Sequence, residues 1–172
     1  MKVLIAEDER NILTPYKIIL ESRGHQVLTA EDGESCIQLY RSEFEKLPKD
    51  SPKPPFDVVL LDYRMPKKDG LQVAKEIFEL VPDQRIVYVS AYVKTILVDS
   101  AKQLPNAIEM LQKPFELDVL VDVVEEKEVL EKLKEFGVGL KAENPNAHLP
   151  NHNELVKLLE ALLEIEKKYV GA

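Results

Sequence analysis

The stretch "VVLLDYRMPKKDGL", residues 58–71, decides the fold. Four aliphatic residues without the alternation of a half-exposed strand read as a strand buried on both faces, and it runs directly into Asp62. A Met-Pro pair and Gly70 then break the run. An amphipathic segment follows, with Val73, Ile77 and Leu80 at helical spacing. A buried strand followed at once by a helix is half of a βαβ unit, and the same unit recurs on either side.

Short strand-like runs stand at "KVLIA" (2–6), "QVLTA" (26–30), "RIVYVS" (85–90) and "IEMLQ" (108–112), while the quoted run extends over 58–62. Between them lie helix-length segments. The first, over 10–22, carries Ile12, Tyr16, Ile19 and Leu20 on one face and stops at Gly24, which suits a helix C-terminal cap. Ile37, Tyr40 and Phe44 form the second face, and Ile96, Val98 and Leu104 a less regular later one. Strands alternating with helices of this length predict an α/β, doubly wound, five-stranded parallel sheet covered on both faces. The segment "EKLPKDSPKPP" (45–55), with four prolines, reads as a surface connector rather than a docking ligand.

Composition narrows the function classes. The chain has 172 residues, enough for one sizeable core with an appendage. Its formal net charge of −8 disfavours nucleic acid or an acidic membrane as principal partner. No apolar run is long enough to span a bilayer, and the opening "MKVLIAEDER" turns acidic too early for a signal peptide, so a cytoplasmic location is expected. The single cysteine, Cys36, excludes an internal disulfide and a cysteine-built zinc site; beside Ile37 in a helical segment it reads as a small packed hydrophobe.

In an open parallel sheet, ligands bind beyond the carboxyl ends of the strands, where strand order reverses. The first strand ends in Glu7-Asp8, the third in Asp62 and the fourth in Ser90, and the fifth is followed by Lys113-Pro114. Each of these has an ordinary explanation when taken singly, as a solvated acid, a turn or a surface hydroxyl. Together they put three carboxylates, a hydroxyl and an ammonium on one rim. Carboxylates this close raise one another's pKa, and a divalent cation relieves the repulsion; an all-oxygen set favours Mg²⁺. A carboxylate beside such a cation can attack a phosphoryl group, with Lys113 and Ser90 placed to hold its oxygens. The strand ends in Asp62 because Asp62 is positioned to react.

On these residues the chain resembles the receiver domains of two-component response regulators over about residues 1–126. Glu7-Asp8 match the acidic pair, Asp62 the phosphoaccepting aspartate, Met65-Pro66 and Gly70 the loop after it, Ser90-Ala91 the hydroxyl and small residue, and "LQKPF" the lysine-proline element. The resemblance implies the flavodoxin-like strand order 2-1-3-4-5. It also implies that Asp62 accepts a phosphoryl group from a sensor histidine kinase or phosphotransfer protein. Mg²⁺ would be held by Asp8, Asp62 and the main-chain oxygen of Arg64, with Glu7 acting mostly through water, and the Lys113-Pro114 peptide would be cis. The chain departs from the family at Met110, where receivers carry an aromatic switch residue. Arg64 and Tyr92, two residues beyond Asp62 and Ser90, are large at positions that flank the path of the hydrolytic water.

Beyond the receiver, residues 127–172 are expected to form a helical extension, with a linker over about 137–150 and a helix over about 152–170. Leu117, Leu120, Val121 and Val124 give the last receiver helix, and "EEKE" (125–128) is either its end or a solvated turn of a longer one. In the tail, Leu155, Leu158, Leu162, Ile165 and Tyr169 make a heptad seam that Val156, Leu159, Leu163 and Val170 widen, so the tail is expected to dock on the preceding helix or to make a homodimer. His148 and His152 are four apart, but Pro150 lies between them and no third ligand accompanies them.

Two other functions are weighed. From residue 116 onward there are 7 Lys/Arg against 13 Asp/Glu, the wrong sign for a DNA-binding transcriptional regulator. A haloacid-dehalogenase-like phosphatase would need an acid two residues after the nucleophile, where this chain has Arg64, which does no acid/base work. The reading is a non-enzymatic phosphorylation switch that signals to a downstream protein target. Its expected output surface is the fourth helical segment, the fifth strand and the last receiver helix.

Overall fold

The structure, a computed structural model, describes residues 1–48, 53–92, 109–135 and 161. The chain divides into two compact units, Met1–Leu117 and Asp118–Ala172. In the first, β1 (Lys2–Ala6), α1 (Arg10–Ser22), β2 (Gln26–Ala30), α2 (Gly33–Glu45), β3 (Val58–Leu61), α3 (Gly70–Leu80), β4 (Ile86–Ser90) and β5 (Glu109–Gln112) follow one another. All five strands are parallel, in the order β2-β1-β3-β4-β5. The order reverses at β1, which lies between β2 and β3.

Parallel connections cross over right-handedly, so stepping outward from β1 to β2 and then back to β3 and β4 puts α1 on one face and α2 and α3 on the other. The packing agrees with this. Leu4, Ala6, Val59, Leu61, Ile86 and Tyr88 join Cys36, Ile37 and Tyr40 of α2 and Val73, Ala74, Ile77 and Phe78 of α3 in one apolar cluster. The alternate residues Val3, Ile5, Val58, Leu60, Val87 and Val89 are equally buried, as are Leu13, Tyr16 and Leu20 of α1. At about 1.5–3 kcal/mol for each fully buried large aliphatic side chain, these two faces dominate the stabilisation.

Local signals set the helix ends. Gly24 has φ +84, and the amides of Gly24 and His25 return to the carbonyls of Glu21 and Leu20, closing α1. Asp32 caps α2 through the Ser35 amide, and Asp69 with Gln72 makes a reciprocal capping box on α3. At the edge opposite the strand ends, buried Gln84 accepts the Tyr40 hydroxyl and donates to the carbonyls of Phe56 and Arg85.

Differences from the sequence expectation are small. The third strand ends at Leu61 rather than 62 and the fourth begins at Ile86 rather than 85, while the fifth is described from Glu109. Phe44 is 37% exposed, because α2 ends within a residue of it, and Leu13 is the buried α1 residue in place of Ile12. The helical face at Ile96, Val98 and Leu104, the histidine pair and the tail seam lie outside the described residues. The last helix, α4 (Leu117–Glu135), runs on through the "EEKE" turn, buries Leu120, Val121 and Val124, and has Asp118 in its first turn where the helix dipole favours an acid. Among the described residues no helix is long and apolar enough to cross a membrane.

Candidate functional site

The strand ends bring the candidate residues together. Ala6 and Leu61 are register partners, and the residues immediately after them, Glu7 and Asp62, leave the sheet side by side at the β1–β3 boundary. The Asp62 amide donates to the Ala6 carbonyl at 2.9 Å and the Glu7 amide to the Ala30 carbonyl at 3.1 Å, which fixes both departures. On the other side the Lys113 amide donates to the Ser90 carbonyl at 3.1 Å, and the Lys113-Pro114 peptide is cis. Glu7, Asp62 and Ser90 are buried, at 2%, 8% and 1% exposure, whereas Asp8 is exposed.

The Lys113 side chain spans the site. Its Nζ lies 2.5 Å from Glu7 Oε2 and 3.1 Å from Asp62 Oδ1, and Asp62 Oδ2 accepts the Arg64 amide at 2.8 Å. Burial pushes the Glu7 carboxyl above its ordinary range; Lys113 pulls it back and the Asp62 charge adds to the rise. For Lys113 burial acts downward, but the hydrogen bond to Glu7 and the charges of both acids more than offset it and hold the ammonium above the usual lysine range. Two buried carboxylates therefore share one cation.

Among the described residues no three His, Cys, Asp or Glu side chains converge into a preformed metal cage. A hard cation that keeps several of its waters does not need one. Exposed Asp8, buried Asp62 and the adjoining main chain offer oxygens only, and Glu7 adds a further carboxyl. This donor set fits Mg²⁺ and does not fit a softer metal.

The loop from Asp62 to α3 is held closely. A Cβ on Gly70 would come within 2.3 Å of the Asp62 carbonyl oxygen, so no larger residue fits where α3 starts against the end of β3. The Gly70 amide donates to the Tyr63 carbonyl, and the buried Tyr88 hydroxyl donates to the Gly70 carbonyl at 3.0 Å. Met65 is buried in the core cluster. Lys67 has φ +66, uncommon for a residue with a side chain, and the Lys68 amide returns to the Pro66 carbonyl at 2.8 Å, making a γ-turn centred on Lys67. Tyr88, Lys67 and the Asp32-Gly33 pair also support the site, beyond the residues that the sequence motifs mark. The signal for Tyr88 is a polar-tipped aromatic within a buried strand; Asp32-Gly33 carries the signature of a helix cap.

Arg64 and Tyr92 meet, with the guanidinium 3.9 Å from the ring centroid. This cation–π contact joins the loop after β3 to the residues after β4. Met110 sits opposite Tyr88 in the β4–β5 register, partly buried against the same cluster, and Tyr63 packs edge-on to Tyr88. Beside the site, Tyr16 stacks on Phe115 at 5.6 Å, and a groove of about 300 Å³ is lined by Ile12, Pro15, Tyr16, Lys113, Pro114 and Phe115. Burial raises the Tyr16 phenol to about 12. Cys36 is fully buried and its thiol is likewise pushed up to about 12, which leaves it a packing residue.

Comparison with known proteins agrees with this geometry. The family model of the response regulator receiver domain matches residues 3–125. The chain is 27% identical over 124 residues to the response regulator receiver protein CpdR of Brucella abortus, a match that takes in 72% of this chain and 93% of CpdR. It is 26% identical over 123 residues to sporulation initiation phosphotransferase F of Bacillus subtilis, covering 72% of this chain and 90% of that one. A solved structure of the CheX-CheY-BeF3-Mg complex from Borrelia burgdorferi superimposes with a TM-score of 0.62 at 27% identity, covering 74% of this chain and 89% of that chain. With its five parallel strands in the order 2-1-3-4-5 and its acids gathered at the strand ends, the chain belongs to the response regulator receiver domain family, the phosphoryl-accepting modules of two-component signalling.

Proposed function

We propose that Asp62 is the phosphoacceptor and that Glu7, Asp8, Ser90, Lys113 and the Arg64 main-chain oxygen serve it. The observation that carries this reading is the Lys113 ammonium bridging Glu7 and Asp62. One Asp62 carboxylate oxygen attacks the phosphorus of a phosphohistidine on a sensor kinase or phosphotransfer protein; the P–N bond breaks, the imidazole leaves, and an aspartyl acyl phosphate forms. Lys113 follows a phosphoryl oxygen, and the Ser90 hydroxyl donates to another. The Arg64 amide orients Asp62 through Oδ2. Asp8, Asp62 and the Arg64 main-chain oxygen would hold Mg²⁺, with Glu7 contributing through water, and the ion would supply charge neutralisation for the transferring phosphoryl group.

The groove between α1 and the Lys113-Pro114-Phe115 turn offers the partner an apolar approach to this rim. Output runs through protein contact, in the cytoplasm, from a receiver over 1–126 to a downstream target, with the 127–172 extension as a second interaction element that homodimerises or docks on the chain itself. From residue 116 onward acids outnumber Lys/Arg by 13 to 7, a balance that speaks against nucleic acid as the partner of this end of the chain. The chain catalyses nothing beyond gain and loss of its own phosphoryl group.

The test is incubation with a small phosphodonor such as acetyl phosphate, with Mg²⁺ or with a chelator, read by intact mass. One phosphoryl group should be gained with Mg²⁺ only, and none in Asp62→Asn. A gain that persists in Asp62→Asn, or that ignores the chelator, would defeat the proposal.

A further inference from the structure

We infer that Lys67 is a positioning residue for the metal, clamping the loop that carries the Arg64 main-chain oxygen to the N-terminus of α2. The inference rests on the proposed Mg²⁺ site and extends it to residues that touch neither metal nor phosphoryl group.

The loop after Asp62 is fastened at three successive residues. Met65 is buried in the core, the Pro66 carbonyl accepts the Gly33 amide at 3.3 Å, and Lys67 Nζ lies 2.8 Å from Asp32 Oδ2. Asp32 is itself immobilised, because it caps α2 through the Ser35 amide at 2.8 Å and accepts the Ser35 hydroxyl at 2.9 Å. The approach is close enough that a Cβ on Gly33 would fall 2.1 Å from the Lys68 carbonyl oxygen. Lys67 makes its contact from the γ-turn, a backbone state that a residue with a side chain leaves readily unless its surroundings hold it there. The Lys67–Asp32 pair is a specific restraint on that state. Releasing it lets the turn open, and the displacement passes through Pro66 and Met65 to the Arg64 peptide, three residues away.

A pair whose lysine is half exposed has a modest effect, so Mg²⁺ affinity is expected to fall about two- to fivefold when it is broken. The variants are Lys67→Met, which keeps the strained backbone and removes the clamp; Asp32→Asn, which keeps the helix cap; the double variant; and Lys67→Gly, which removes clamp and strain together. Mg²⁺ titration, thermal unfolding and amide exchange at Gly33 and Lys68 are measured on the full chain. Lys67→Met and Asp32→Asn should each weaken Mg²⁺ and expose the two amides while the thermal midpoint barely moves. The double variant should be no worse than either single one, and Lys67→Gly should bind better than Lys67→Met. Unchanged Mg²⁺ affinity in Lys67→Met, additive losses in the double variant, or losses that only follow the melting temperature would overturn the positioning role. Failure of the unmodified protein to bind Mg²⁺ at all would instead overturn the metal site on which the inference rests.

Discussion

The contact between Arg64 and Tyr92 sets a quantitative expectation for how long the phosphoryl group survives. With the guanidinium 3.9 Å from the ring centroid and Tyr92 41% exposed, the pair belongs with exposed cation–π contacts, about 0.5–1 kcal/mol. It links the segments after β3 and β4, beside Asp62 and Ser90, and water attacking the acyl phosphate is expected to pass the pair or part it. If parting is required, its free energy adds to the hydrolytic barrier, and by the transition-state relation removing it speeds hydrolysis about two- to fivefold. Arg64→Ala and Tyr92→Ala should each give most of this acceleration, and the double variant little more, since either change already breaks the contact. The assay follows loss of the phosphoryl group by intact mass after the donor is removed. Decay of the double variant at the native rate would mean that water reaches the phosphorus by another route and that the contact does not shield it. Multiplicative single effects would mean that each side chain shields the site by bulk alone.

Other consequences are equally specific. Replacing Asp8 by Ala should weaken Mg²⁺ binding while leaving the fold intact, because an exposed ligand is lost and no packed atom is removed; unchanged affinity by titration calorimetry would move the metal elsewhere. Gly70→Ala forces a methyl group to within 2.3 Å of the Asp62 carbonyl oxygen and should cost about 1–3 kcal/mol in urea unfolding while impairing phosphorylation. Tyr40→Phe should cost about 1–3 kcal/mol by stranding the buried Gln84 side-chain oxygen, yet leave phosphorylation unaltered, since it acts at the opposite edge of the sheet. The Asp32 carboxyl, held down to about 2 chiefly by Lys67, has a depressed folded-state pKa. Its stabilisation is present above pH 4 and lost as pH falls through about 2, and in Lys67→Met the NMR midpoint should return toward 3.8.

The fold was legible because its determinants are local. Unbroken aliphatic runs such as Val58–Leu61 mark buried parallel strands whatever their neighbours, and Gly24 marks the end of α1 by its conformation alone. The candidate site was legible for a related reason. Acids that interrupt such runs at their carboxyl ends must gather on one rim once the strands are parallel, and the structure brings Glu7, Asp62, Ser90 and Lys113 there. What pattern alone does not reveal is the pairing of side chains across long separations. Lys67 finds Asp32, 35 residues back, and Arg64 finds Tyr92 only because strand order places those loops together. Nothing near Tyr88 announces that its hydroxyl reaches the first residue of α3. Such contacts follow from topology, and topology is assembled from elements that the local pattern can name but not dock.

The most direct test is to locate the phosphoryl group. The protein is phosphorylated with a small donor and Mg²⁺, the acyl phosphate is trapped by borohydride reduction, and the peptides are mapped by mass spectrometry. A single modified residue, Asp62, is expected. Modification of Glu7, Asp8 or any other carboxylate in place of Asp62 would contradict it.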